Sequence, residues 1–122
     1  MRPTLRPAIP SDFAALGLDN PDYRVRAFTA VLGDEVIGLG GIAYLPGGTH
    51  GAFVHAKPGA HRYKMTFHKA GLAAIAEARR LGIKRLVAMA EPGVEPAVRW
   101  LKRLGFHDEI TVDGQKVYAW QQ

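Results

Sequence analysis

The sequence predicts an α/β domain on a mixed sheet, with the element order β-α-β-β-β-α-β-α-β-β. Three observations carry that prediction. Gly33-Asp34 and Asp113-Gly114 each stand between short apolar runs, which is the signal of a two-residue β-hairpin. Residues 60–81 repeat apolar positions at helical spacing. The run "IKRLVAMAE" that follows is continuous in apolar residues, as parallel or central strands are. At 122 residues the chain fits one domain, residues 1–122, and buries roughly two-thirds of its unfolded surface.

Taken in order, "RPTLRPA" alternates as a first strand. "IPSDFAAL" follows as a helix start, with Ser11 as the expected cap, Asp12 at the positive end of the dipole, and Phe13 and Leu16 opening an apolar stripe. "LDNPDYR" is a turn-rich link. "RAFTAVL" and "EVIGLGGIAYL" form the first hairpin, "PGGT" turns the chain, and "HGAFVHA" (His50 to Ala56) completes a three-stranded meander. The main helix, about Ala60 to Leu81, buries Leu72, Ile75, Ala78 and Leu81. It stops at Gly82, with Arg79 and Arg80 in its last turn. Met65 and Phe67 read as core, and Trp100 as core or interface. "EPAVRWLKRLGF" is a second amphipathic helix ended by Gly105, and "HDEITV-DG-QKVYAWQQ" closes the fold as a hairpin.

Composition excludes several function classes. Hydrophobic residues make up 48% and charged residues 22%, which is ordinary folded composition. The chain has no cysteine, which rules out disulfides and thiolate zinc sites and suits a reducing compartment. "MRPTLRPAIPSDF" holds no long apolar run, so neither a signal peptide nor a membrane anchor is read and a cytoplasmic location is expected. The net charge is +5. Its arginines and lysines fall in separate groups: Arg2 and Arg6, Arg24 and Arg26, Arg62 and Lys64, Arg79 to Arg85, and Arg99 to Arg103. That scatter argues against a nucleic-acid partner, and a small anionic ligand suits the charge at least as well. The histidines do not make a metal site. His50 and His55 are an odd number apart on a strand and face opposite ways. His61 and His68 lie roughly 10 Å apart along a helix, too far to share an ion. No metal is expected.

Three stretches in this order, "LRPAIPSDFAAL", "VLGDEVIGLGGI" and "AVRWLKRLGFHDE", resemble the GNAT superfamily of N-acetyltransferases over about residues 4 to 120. The last is the most telling: an amphipathic turn followed by Gly-Phe. The resemblance implies a mostly antiparallel mixed sheet flanked by helices, with acetyl-CoA as cosubstrate and an amine on a small molecule or protein as acceptor. It also allows a homodimer. In such folds the central helix opens on a loop of the form Gln/Arg-x-x-Gly-x-Gly/Ala that holds the coenzyme A pyrophosphate. The physical reason is general: free N–H groups and the helix dipole favour an anion at a helix N-terminus.

This chain matches that loop in two registers, one residue apart. One gives His61-x-x-Lys64-x-Thr66 and the other Arg62-x-x-Met65-x-Phe67. The first is preferred, because Thr66 is small and its hydroxyl can meet a phosphate oxygen. By resemblance, cosubstrate contacts fall on Phe53, Val54, His55, His61, Arg62, Tyr63, Lys64, Met65 and Thr66. A backbone N–H around Phe53 to His55 is the donor to the oxyanion. Basic residues at a helix start oppose the dipole, which points to an anion beside Arg62 and Lys64. Leu101 stands where the family commonly has a tyrosine that protonates the departing thiolate, and Val94 where it has an asparagine. Either Tyr63 or Tyr118 substitutes for that acid, or none is needed, since a thiolate of pKa about 8 to 9 leaves unaided.

The candidates for a base are His55 and Glu91, with His50 beside them. The alternatives are a partly buried strand histidine at 55 and a solvated carboxylate at 91. Two functions follow from the resemblance. The first is acetyl transfer to an amine. The second is a binding or assembly protein that has kept the fold and weakened the chemistry, as in small members resembling phage- or prophage-encoded proteins.

Overall fold

The computed structural model describes residues 2–90, 95–112 and 114–122. Its elements are β1 (Thr4–Pro7), α1 (Pro10–Ala15), β2 (Val25–Leu32), β3 (Glu35–Tyr44), β4 (His50–Ala56), α2 (Lys64–Arg80), β5 (Arg85–Ala90), α3 (Glu95–Arg103), β6 (His107–Val112) and β7 (Gln115–Gln121). The seven strands form one sheet in the order β1-β2-β3-β4-β5-β7-β6. Every neighbouring pair is antiparallel except β4 and β5, which run parallel across the α2 crossover. The expected order and mixed sheet are both present.

The first helix is held differently from the expectation. Ile9, not Ser11, occupies the cap position and Pro10 opens the helix, because a proline at the first helical position forfeits no hydrogen bond. Asp12 then reaches back to accept the Ile9 N–H at 2.9 Å. Its carboxylate is 2% exposed and also accepts from both Arg6 guanidinium nitrogens at 2.8 Å and from the Thr29 hydroxyl at 2.7 Å. One side chain thus ties β1, α1 and β2 together.

The main core lies between the sheet and the two longer helices, where Ile42, Ile75, Ala78, Leu86, Leu101, Leu104, Phe106, Tyr118 and Trp120 are buried together. The buried stripe of α2 is narrower than its apolar positions suggested. Ile75 and Ala78 are buried, but Leu72 is 48% exposed, Leu81 is exposed, and Met65 is 63% exposed rather than core. The helix meets a flat sheet along one line, so positions a quarter-turn away face solvent. Two close approaches fix its seat. A Cβ at Gly38 would lie 2.5 Å from the Phe67 ring, and one at Gly71 would lie 2.9 Å from Leu104 and 3.2 Å from Trp100 on α3. The glycines on β3 and α2 are there because no side chain fits.

Candidate active site

The parallel joint between β4 and β5 creates the site. Among the described residues these strands pair only at Gly51 with Val87, after which they part. The Lys57 amide donates to the Ile37 carbonyl and the Leu45 amide to the Thr49 carbonyl, each at 2.9 Å, at the two ends of the β3–β4 ladder. Hydrogen-bonded pairs alternate along an antiparallel ladder, and the register is unbroken from Tyr44–His50 to Gly38–Ala56. Residues 51, 53 and 55 therefore bond to β3, while the N–H of Val54 turns toward the open seam. Among residues 53–55, where the resemblance sets an oxyanion donor, the Val54 amide alone faces the seam.

A cavity of about 520 Å³ occupies this seam and the space beneath α2. Phe53, Val54 and His55 of β4, Phe67 and Gly71 of α2, and Trp100 and Leu101 of α3 are among its walls. Small residues on both sides, Gly40 and Ala52 below and Ala70, Gly71 and Ala74 above, leave room that larger side chains would fill. Of the described lining side chains, the His55 imidazole, the Tyr23 hydroxyl and the Trp100 indole carry polar groups and the rest are apolar. Such a cleft suits a ligand with an apolar arm and a few polar contacts.

His55 is exposed, which sets aside the reading of a partly buried strand histidine. Pairing and alternation put it with Phe53 on the sheet face opposite α2, their rings 6.0 Å apart. His50 is half-buried and set edge-on to Tyr44 at 5.2 Å, away from this cavity. Glu91 and Val94 lie outside the described residues. Leu101 is buried in the wall, so an apolar group occupies the position where a tyrosine was expected. Tyr118 is a 2% exposed core residue, and neither it nor Tyr63 is among the cavity's walls.

At the head of α2, residues Ala60–Tyr63 form a 3₁₀ turn that runs directly into the helix, and Tyr63 caps it without a side-chain bond. The i→i+3 bonds of such a turn engage amides that an open glycine loop leaves free. Side chains are what this corner offers: Arg62, Lys64 and Met65 are exposed, and Tyr63 and Thr66 half-buried. His61 belongs to the turn by its backbone, and its side chain lies outside the described residues.

Tyr23 is the wall residue that the sequence did not single out. Its signal was modest: an aromatic in the otherwise polar link "LDNPDYR", left 43% exposed by the fold. Among the described residues, no group of three or more histidines, aspartates or glutamates is placed to hold a metal ion. No helix of the described chain is long and apolar enough to cross a membrane.

No protein-family model matches the sequence. No curated protein matches it either. Solved structures do resemble it. An N-acetyltransferase from Staphylococcus aureus superposes with a TM-score of 0.80 at 15% identity, covering 99% of both chains. The ribosomal-protein-S18-alanine N-acetyltransferase from Escherichia coli gives 0.77 at 14% identity over 98% of this chain and 93% of that one. An acetyltransferase from Bacillus subtilis solved in complex with CoA gives 0.71 at 15% identity over 99% of each. At these identities the likeness establishes the fold alone, one that the GNAT domain of an S. lividans protein also has, with a TM-score of 0.77 at 16% identity over 98% of this chain and 90% of that one.

Proposed function

We propose that this protein transfers an acetyl group from acetyl-CoA to an amine acceptor. The observation that carries the reading is the parting of β4 from β5 after one residue pair, which aims the Val54 amide into an apolar cavity beside His55. The cavity suits the pantetheine arm, with Arg62, Lys64 and Thr66 at the head of α2 as phosphate partners. The acceptor nitrogen attacks the thioester carbonyl carbon; a C–N bond forms, the C–S bond breaks, and the thiolate departs. The Val54 N–H stabilises the oxyanion, and His55 takes the proton that the amine loses. With leucine at position 101, the thiolate leaves without a protein acid.

The closed 3₁₀ turn and Leu101 support a second reading, a binding protein on the same fold with weakened chemistry. Thermal unfolding with and without acetyl-CoA, combined with release of free thiol over a panel of amines, separates the two. A ligand at 100 times its Kd adds about 2.7 kcal/mol of stability. A shift with amine-dependent thiol release supports the transferase, and a shift without release supports the binding protein. No shift at millimolar acetyl-CoA removes the transferase. If Arg62→Ala with Lys64→Ala leaves the shift unaltered, the phosphate grip lies elsewhere.

A further inference from the structure

Cations far apart in the chain converge on a second concavity. Arg24 and Arg26 come from the start of β2, and Lys84 and Arg85 from the start of β5. With Tyr44 and His50 they line an open bowl of about 670 Å³ beside the C-terminal end of α2. The bowl shares no wall residue with the apolar cavity, and none of its described walls is an aspartate or glutamate. Part of the cluster has a local explanation. Arg79 and Arg80 complement the negative end of the α2 dipole, and Arg26 meets Glu77 at 2.9 Å. Glu77 is shared, however, because it also pairs with Arg80. Arg24 belongs to neither arrangement: its guanidinium lies over the Tyr44 ring at 5.2 Å, and that ring is braced edge-on by His50. The stack fixes a cation at the rim before any ligand arrives.

Like charges gathered around a concavity repel one another unless an anion enters. Guanidinium and ammonium donors approaching from two strands suit an oxyanion with several acceptor oxygens better than a single carboxylate. We propose that this bowl is a second ligand site that binds a phosphate-bearing molecule. It works independently of the cavity between β4 and β5.

Amide chemical-shift mapping during titration with inorganic pyrophosphate tests the proposal on the unmodified protein. Saturable shifts are expected at Arg24, Arg26, Tyr44, His50 and Lys84. The double variant Arg24→Gln, Lys84→Gln is expected to weaken binding by roughly tenfold or more, while Arg62→Gln with Lys64→Gln leaves those shifts in place. A parallel titration with a single-stranded oligoribonucleotide identifies the source. Competition with pyrophosphate at the same amides marks a polymer's phosphates, and its absence marks a small phosphorylated molecule. Shifts confined to residues 61–66, or no saturation at millimolar pyrophosphate, overturn the proposal.

Discussion

Truncating Asp12 to alanine removes the acceptor on which three elements converge. The carboxylate takes four hydrogen bonds, two from Arg6 and one each from the Ile9 amide and the Thr29 hydroxyl, at 2.7–2.9 Å. Thr29 is wholly buried, so its hydroxyl loses a partner that water cannot replace, whereas the other bonded amide belongs to Ile9, which is 52% exposed. The orphaned hydroxyl costs about 1–3 kcal/mol. The Arg6 side chain is 40% exposed, so losing the ion pair adds at most about 1 kcal/mol. Together these give about 1–4 kcal/mol, or a Tm lower by roughly 4–15 °C for a chain of this length. Urea unfolding followed by tryptophan fluorescence measures it, and a loss under about 0.5 kcal/mol refutes the reasoning. The pH dependence gives an independent check. Bonding to Arg6, against the opposing effect of burial and aided by Ile9 and Thr29, holds the Asp12 carboxyl well below the usual carboxylate range. A folded pKa below the unfolded one means the stabilisation is complete above about pH 4 and lost as pH falls below it. The advantage of the native chain over Asp12→Asn therefore narrows from pH 4 downward. A gap that stays constant to pH 2 contradicts the assignment.

Val54→Pro deletes the one amide among residues 53–55 that faces the seam while leaving the β3–β4 ladder its bonds. It is expected to lower kcat roughly 10²–10³-fold with the acetyl-CoA-induced Tm shift retained, and full activity in this variant rules out the amide as oxyanion donor. His55→Gln is expected to lower kcat/KM by roughly 10²-fold or more with the acetyl-CoA-induced Tm shift retained; an unchanged kcat/KM assigns the proton to another group. Gly38→Ala forces a methyl against the Phe67 ring and the His55 carbonyl, costing about 1–3 kcal/mol. Phe67→Leu in the same chain is expected to recover part of that cost, and strict additivity in the double-mutant cycle shows that the ring is not what the methyl meets.

Local chemistry made the elements legible and left the site half-read. Gly33-Asp34 and the run from His50 to Ala56 fell where the sequence put them, because turn residues and period-2 alternation act over a few positions. Leu72 and Met65 were misjudged because helical spacing gives an apolar direction without saying how wide the facing surface is. Ser11 lost the cap to Ile9 because Asp12 serves Thr29 and Arg6 as well, partners that only the fold brings near. Tyr23 reached the cavity, and Arg24 reached Lys84, through long-range pairing that no window of sequence contains. Leu101, set by the resemblance at the position where the family commonly has a tyrosine, lies in the cavity wall.

The single bridge between Gly51 and Val87 has a mechanical consequence. Among the described residues the sheet is two hydrogen-bonded panels, β1 to β4 and β5 to β6, meeting at one rung, and α2 spans them. Phe67 rests on Gly38 of one panel, while Ile75 and Ala78 share a core with Leu86 of the other. Backbone bonding holds each panel; side-chain packing under one helix holds them to each other. Separation of the panels therefore needs far less disruption than melting either, and amides flanking the rung are expected to exchange before those of the β2–β3 ladder. A ligand lodged in the gap touches both panels and becomes the second fastener, so occupancy of the site and rigidity of the whole sheet rise together.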